Sequence, residues 1–189
     1  MAALDTPSNH VRGLGRLCGT LWSALVMGVL CCSAMAQQSL EYQVKAAFLL
    51  NFTKFIEWPT AAFDDEHSPI AICVLGDDPF GGALNQIVEG EAVNGRKIVV
   101  QTIRRLPPPG SCRVLFVSKS ERDTRKLLTG LGPGVLTVGE GDGFLSDGGI
   151  IAFVIDNRRV RFDINQSAAA KASVIISSKL LNVARSVGK

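Results

Sequence analysis

The apolar positions of this chain form two kinds of pattern, and their order predicts an α/β fold. From Glu41 to Pro59 the sequence reads EYQVKAAFLLNFTKFIEWP, with Val44, Phe48, Phe52 and Phe55/Ile56 recurring at steps of three or four. That spacing puts them on one face of a helix. Lys45, Lys54 and Glu57 fall largely off this stripe. Pro59 cannot continue a helix and biases Trp58 towards an extended conformation. The pattern therefore predicts one amphipathic helix running into a Trp-Pro stop. Its apolar face reads as core, and Trp58 with the polar face, Lys54 included, is a candidate border for a ligand or partner site.

Beyond Pro59 the pattern changes. Ile70 to Leu75 is a continuous apolar run, as in a strand buried on both faces. Asp77 and Asp78 follow; Asp78 fits an N-cap and Pro79 a first helical position, opening a helix over Phe80 to Val88. Asn94-Gly95 is a turn signal before a strand from Lys97 to Ile103. A proline-rich loop, Leu106 to Gly110, precedes another buried strand, Arg113 to Ser118. Ser120 with Asp123 resembles a capping box for a helix to Gly130. Gly134 to Val138 reads as a strand. Ile150 to Ile155 and Val160 to Ile164 flank Asp156-Asn157-Arg158-Arg159 as a hairpin. In its second strand Val160, Phe162 and Ile164 face one side, and Arg159, Arg161 and Asp163 the other. A last helix is expected over Lys179 to Val187. The expectation is an α/β fold: a mostly parallel sheet with an antiparallel C-terminal hairpin and helices on both faces. Ligands in such sheets sit beyond the carboxyl ends of the strands, here Gly76-Asp77-Asp78, Ser118-Lys119-Ser120 and the loop Gly139 to Gly143.

The first 36 residues read differently. Arg12 and Arg16 form a basic region, Leu17 to Cys32 is mostly apolar, and Ala34-Met35-Ala36 is a small-x-small cleavage site. That predicts a signal peptide over 1–36, export to the periplasm and a single domain over 37–189. Of five cysteines, Cys18, Cys31 and Cys32 leave with the leader. Cys73 and Cys112 remain. In an oxidising compartment one disulfide is the default, and two buried free thiols are the alternative.

Composition and charge narrow the chemistry. The net charge is +3, and no basic tract interleaves with aromatics, so nucleic acid is not an expected partner. His67 is the one histidine outside the leader, and it sits in the acidic run Asp64-Asp65-Glu66. Catalytic triads and a spaced metal-ligand set are therefore not expected. Gly139, Gly141 and Gly143 are interleaved with acids that disfavour a phosphate, and read as a mobile connection. Asp77 and Asp78 stand at a strand end as ligand-binding candidates, but adjacent carboxylates point different ways and do not make an acid–base pair. No enzyme, cofactor or metal is expected; the sequence offers surfaces.

Ordered blocks along the chain resemble the YfiR-like family. They include Glu41-Tyr42, Val44 to Phe48, Asn51-Phe52, Trp58-Pro59, Cys73 to Gly81, Val93 to Arg96, Cys112 to Phe116, Leu136 to Val138, Gly143-Phe144, Gly148 to Ile151, Val160 to Asn165 and Ser177 to Leu181. The resemblance implies a dimeric α/β periplasmic regulator that binds the periplasmic sensor domain of an inner-membrane diguanylate cyclase and represses it, lowering cyclic di-GMP and biofilm formation. An outer-membrane lipoprotein relieves that repression. It further implies a disulfide between Cys73 and Cys112. A second family cysteine pair has no counterpart, because Leu145 and Ala152 stand there. The partner-facing patch carries over loosely to Ile151, Asp163 and Ala168–Ala170, centred on Ala169. The alternative is a small-ligand-binding sensor module acting on another membrane sensor such as a histidine kinase.

Overall fold

The computed structural model describes residues 40–141 and 143–188. The expected leader, residues 1–36, and the cleavage after Ala36 lie outside the described residues. The described residues begin with helix α1, residues 40–54, and short strand β1, Ile56–Glu57. Next come β2 (Ile70–Leu75), α2 (Ala83–Val88), β3 (Ala92–Val93), β4 (Arg96–Ile103) and β5 (Val114–Val117). Then α3 (Thr124–Thr129), β6 (Leu136–Glu140), α4 (Gly143–Ser146), β7 (Ile151–Asp156) and β8 (Arg159–Asn165) follow. The chain closes with α5 (Gln166–Lys171), β9 (Ile175–Ile176), α6 (Ser178–Val183) and β10 (Ser186–Gly188).

The eight-stranded sheet runs β10-β8-β7-β6-β5-β2-β4-β3. Its centre, β4-β2-β5-β6-β7, is parallel, and every residue of β2 and β5 is buried. Burial on both faces is why these strands read as unbroken apolar runs. The β7–β8 hairpin is antiparallel, with Ala152 opposite Asp163 and Phe153 opposite Phe162. One face of the sheet packs under Tyr42, Ala46, Leu49 and Phe52 of α1, together with α2 and α6. Phe52 stacks with Phe153 and meets Phe162 edge-on at 5.0 Å. The other face holds Cys73, Leu75, Leu115 and Phe144, with Leu127 and Leu128 of α3 packed against them. Phe144 lies so close to Gly139 and Gly149 that a Cβ on either would stand 2.3 or 2.1 Å from its ring. The loop after β6 is thus pinned by a buried aromatic and carries a helical turn, where the sequence suggested a mobile connection.

The disulfide joins Cys73 and Cys112 with their Cα atoms 5.9 Å apart. Both residues are buried, on the face of the sheet away from α1.

Several element boundaries differ from the sequence reading. The first helix stops at residue 54, because Ile56 and Glu57 pair with Ile176 and Ile175 of β9. The buried stripe is also rotated: Val44 is exposed and Lys45 is only 2% exposed. Asp78 caps a turn, its Oδ1 accepting from the Phe80 N–H at 2.8 Å, and α2 starts later, at Ala83. Ser120 caps no helix. Its hydroxyl accepts from the Asp77 N–H at 3.0 Å, and α3 begins at Thr124. The last helix ends at Val183, and Ser186–Gly188 adds a parallel strand beside β8. The hairpin is therefore covered on its outer side. Asp163, expected on an open face, is buried there.

Candidate functional site

At the carboxyl end of β6 the expected ligand edge is filled by the protein's own side chains. Glu140, the last residue of β6, pairs with Lys45 of α1, and Lys45 also pairs with Glu41 one turn earlier. The Lys45 and Glu140 side chains are each 2% exposed. The Tyr42 hydroxyl donates to Glu140 at 3.2 Å, and the Lys45 ammonium lies 4.5 Å from the Tyr42 ring centroid. Burial, reinforced by the charge of Glu140, pushes the Tyr42 phenol above its ordinary value, so it remains a neutral donor. Lys119 approaches Glu140 from solvent at 3.6 Å. This network ties α1 to the middle of the sheet. Asp77 and Asp78 lie on the same edge, both exposed, with Asp78 committed to its turn.

Two cavities open at the other end of the sheet. A groove of about 550 Å³ runs beside the hairpin, between Leu128 of α3, the start of β6 and β7, and α5. Apolar side chains, among them Ile150, Ala168 and Ala172, line it, with Asp147 and Lys171 as charged groups. Asn165 shapes one end: its Oδ1 accepts from the Ala168 N–H at 2.9 Å and so caps α5. Arg125 donates to Asp147 at 3.0 Å.

None of the three partner candidates lines this groove, and all three are buried. Ile151 of β7 is fully buried and Ala169, on the inner side of α5, nearly so, because both belong to the same core cluster. Asp163 is 6% exposed; its carboxylate accepts from Arg185 Nε at 2.9 Å and pairs with Arg185 Nη2. The hydrogen bonds from Arg185 hold its carboxyl below the ordinary value, against the opposing effect of burial. Their neighbours Ala170 and Lys171 are exposed.

A second, smaller cavity of about 280 Å³ lies at the amino end of β2 and beside the β3–β4 turn, with Trp58, Phe63, Ile70, Val93 and Arg96 in its wall. Trp58 is the one ligand candidate that lines it. Lys54 instead points to solvent and pairs with Glu91 at 3.0 Å. The ligand candidates are thus split: Trp58 at one end of the sheet, Asp77 and Asp78 at the other. Among the described residues no group of three His, Cys, Asp or Glu side chains is placed to hold a metal, and no helix is long and apolar enough to cross a membrane.

Sequence reading missed Glu140, Phe63, Arg96 and Arg113. Glu140 was legible only as an acid in a glycine-rich loop; its partner lies 95 residues away. A family model described as YfiR/HmsC-like matches residues 42–185. No curated protein matches the chain.

Proposed function

This chain belongs to the YfiR/HmsC-like family, and from that membership we propose that it is an exported periplasmic regulator acting by protein–protein contact. Its target in this reading is the periplasmic sensor domain of an inner-membrane diguanylate cyclase, which it holds inactive, lowering cyclic di-GMP and biofilm output. Binding as a homodimer and release by an outer-membrane lipoprotein belong to the same proposal. The observation that supports it best is the groove beside the hairpin. Its lining is mainly apolar and includes one acid, Asp147, and one base, Lys171, which suits an apolar side chain from a partner surrounded by polar contacts. A regulator of this kind needs no catalytic set, and the buried Lys45–Glu140 network serves as a structural tie.

The test is binding of the purified chain to the isolated sensor domain. Lys171→Glu, an exposed change on the groove wall, is expected to weaken binding at least tenfold while leaving the melting temperature within about 2 °C, since surface substitutions change stability little. Unchanged affinity would remove the groove from the interface. The sensor-module reading, with another membrane sensor such as a histidine kinase as its target, is favoured by one observation: the separate cavity at Trp58.

A further inference from the structure

One wall of the groove beside the hairpin is a single face of α5. Ser167, Ala168, Lys171 and Ala172 all line the groove. Residues three and four apart are neighbours on a helix surface, so these four form one patch. The patch is divided lengthwise. Ser167 and Lys171, one turn apart, are exposed. Ala168 and Ala172, also one turn apart, are half-buried and pack against the core. A polar stripe carrying a cation therefore runs beside an apolar stripe of small side chains.

The rest of the lining is mostly aliphatic. Leu128 of α3, then Leu131, Pro133 and Val135 on the way to β6, and Ile150 before β7 all contribute, and no aromatic side chain does. The polar side chains among them are already engaged. Thr137 Oγ1 accepts from the Ile150 N–H at 3.0 Å, and the Thr129 hydroxyl donates to the carbonyls of Arg125 and Lys126. Asp147 accepts from Arg125 Nε at 3.2 Å and Nη2 at 3.0 Å, so its charge is met. Lys171 differs. Among the described residues no carboxylate lies within ion-pair distance of its ammonium, which makes no hydrogen bond either. The one charge in the lining without a counter-charge is therefore positive. The groove's volume, about 550 Å³, falls within the range of pockets that take small molecules.

We propose that this groove binds a medium-chain aliphatic monocarboxylate. The carboxylate pairs with Lys171 on the exposed stripe of α5, next to the Ser167 hydroxyl. The chain lies along Ala168 and Ala172 and covers the branched side chains of the remaining lining, which are all of the kind that an alkyl chain packs against. A flat ring finds no aromatic partner there. A doubly charged group such as phosphate finds only one cation, with Asp147 in the same lining to oppose it. The site is a property of the free chain and does not depend on which protein the chain regulates.

Octanoate, kept below its micelle concentration, is the probe. Titration calorimetry on the purified chain, with no partner present, is expected to show saturable binding of octanoate and a rise in melting temperature. Octylammonium has the same chain and the opposite charge, and is expected to bind at least tenfold more weakly, since Lys171 repels it. Butanoate buries a shorter chain and should also be at least tenfold weaker, because each buried methylene strengthens binding by roughly threefold to fourfold. Lys171→Gln is expected to weaken octanoate about threefold to tenfold, the loss of a charge-assisted contact at an exposed residue, and to narrow the preference over octylammonium. Ala168→Phe and Ala172→Phe should each fill the groove and remove binding. Lys171→Gln, on the surface, keeps the test open if either fails to fold. No saturable binding, octylammonium binding as tightly as octanoate, affinity unchanged in Lys171→Gln, or affinity unchanged in a folded Ala168→Phe or Ala172→Phe would each overturn the proposal.

Discussion

Replacing Lys45 by methionine should destabilise this protein strongly, and a second substitution should repair most of the damage. Methionine keeps the length and packing of the lysine stem, so the loss is the ammonium. In its absence Glu140, whose side chain is 2% exposed, keeps the Tyr42 hydroxyl at 3.2 Å and the solvent-exposed Lys119 at 3.6 Å. Breaking a buried pair by removing one partner costs about 3–5 kcal/mol. Lys119 can offset part of this, so the lower half of that range applies. For a domain of this size each kcal/mol lowers the melting temperature by roughly 2–4 °C, so a fall of about 6–16 °C is expected. Glu140→Leu alone should cost a similar amount, since it leaves Lys45 with only the partly exposed Glu41. The double variant Lys45→Met/Glu140→Leu should recover to within about 2 kcal/mol of the parent or exceed it, because a packed apolar pair replaces two desolvated charges. Thermal and urea unfolding of the four proteins gives the full cycle. Lys45→Met melting within about 2 °C of the parent, or a double variant as unstable as the sum of the singles, would refute the reasoning.

Two further predictions concern the cross-links of the fold. The Cys73–Cys112 bridge closes a 39-residue separation, for which the chain-entropy model gives about 4 kcal/mol; the Cys73→Ser/Cys112→Ser variant should melt roughly 8–16 °C lower, and equal melting of parent and variant would remove the bridge from the account of stability. Asp163 should make stability acid-sensitive: Arg185 holds its carboxyl below the ordinary value, so the folded chain resists the proton that the unfolded chain takes up near pH 4. That stabilisation is present above about pH 4 and is lost as the pH falls further. The urea midpoint should fall more between pH 5 and pH 3 in the parent than in Asp163→Asn; an equal fall in both would show that this pair contributes nothing.

The parts of the fold legible in the sequence were those set by neighbouring residues. Ile70–Leu75 and Val114–Val117 read as buried strands because burial on both faces leaves no polar position, and the hairpin read from its turn. The errors came from contacts made across the chain. A lysine in an amphipathic stretch is placed on the wet side by periodicity, yet Lys45 is inside because Glu140 meets it from β6. Helix α1 stops early because β9, more than 100 residues later, offers Ile56 a strand partner. Strands of two or three residues, such as β1, β9 and β10, are too short to leave an alternating pattern.

The candidate site was legible only in outline. Resemblance pointed to the hairpin region, and the groove does lie beside it, but Ile151 and Ala169 proved to be its buried supports. Strand-end reasoning pointed to Asp77 and Asp78, whereas the groove and the smaller cavity lie at the amino ends of the strands, and Tyr42, Lys45 and Glu140 fill the carboxyl end of β6. Arg113 gave no signal, because nothing local to a strand start reveals that its side chain will be buried against Phe63.

The central claim is regulation by contact with a membrane cyclase. Its most direct test is a pull-down of tagged residues 37–189 from solubilised inner membrane, followed by mass spectrometry. The account predicts recovery of a diguanylate cyclase, lost when that cyclase's soluble periplasmic domain is added as competitor. Recovery of a different sensor, or of no specific membrane protein, would contradict it.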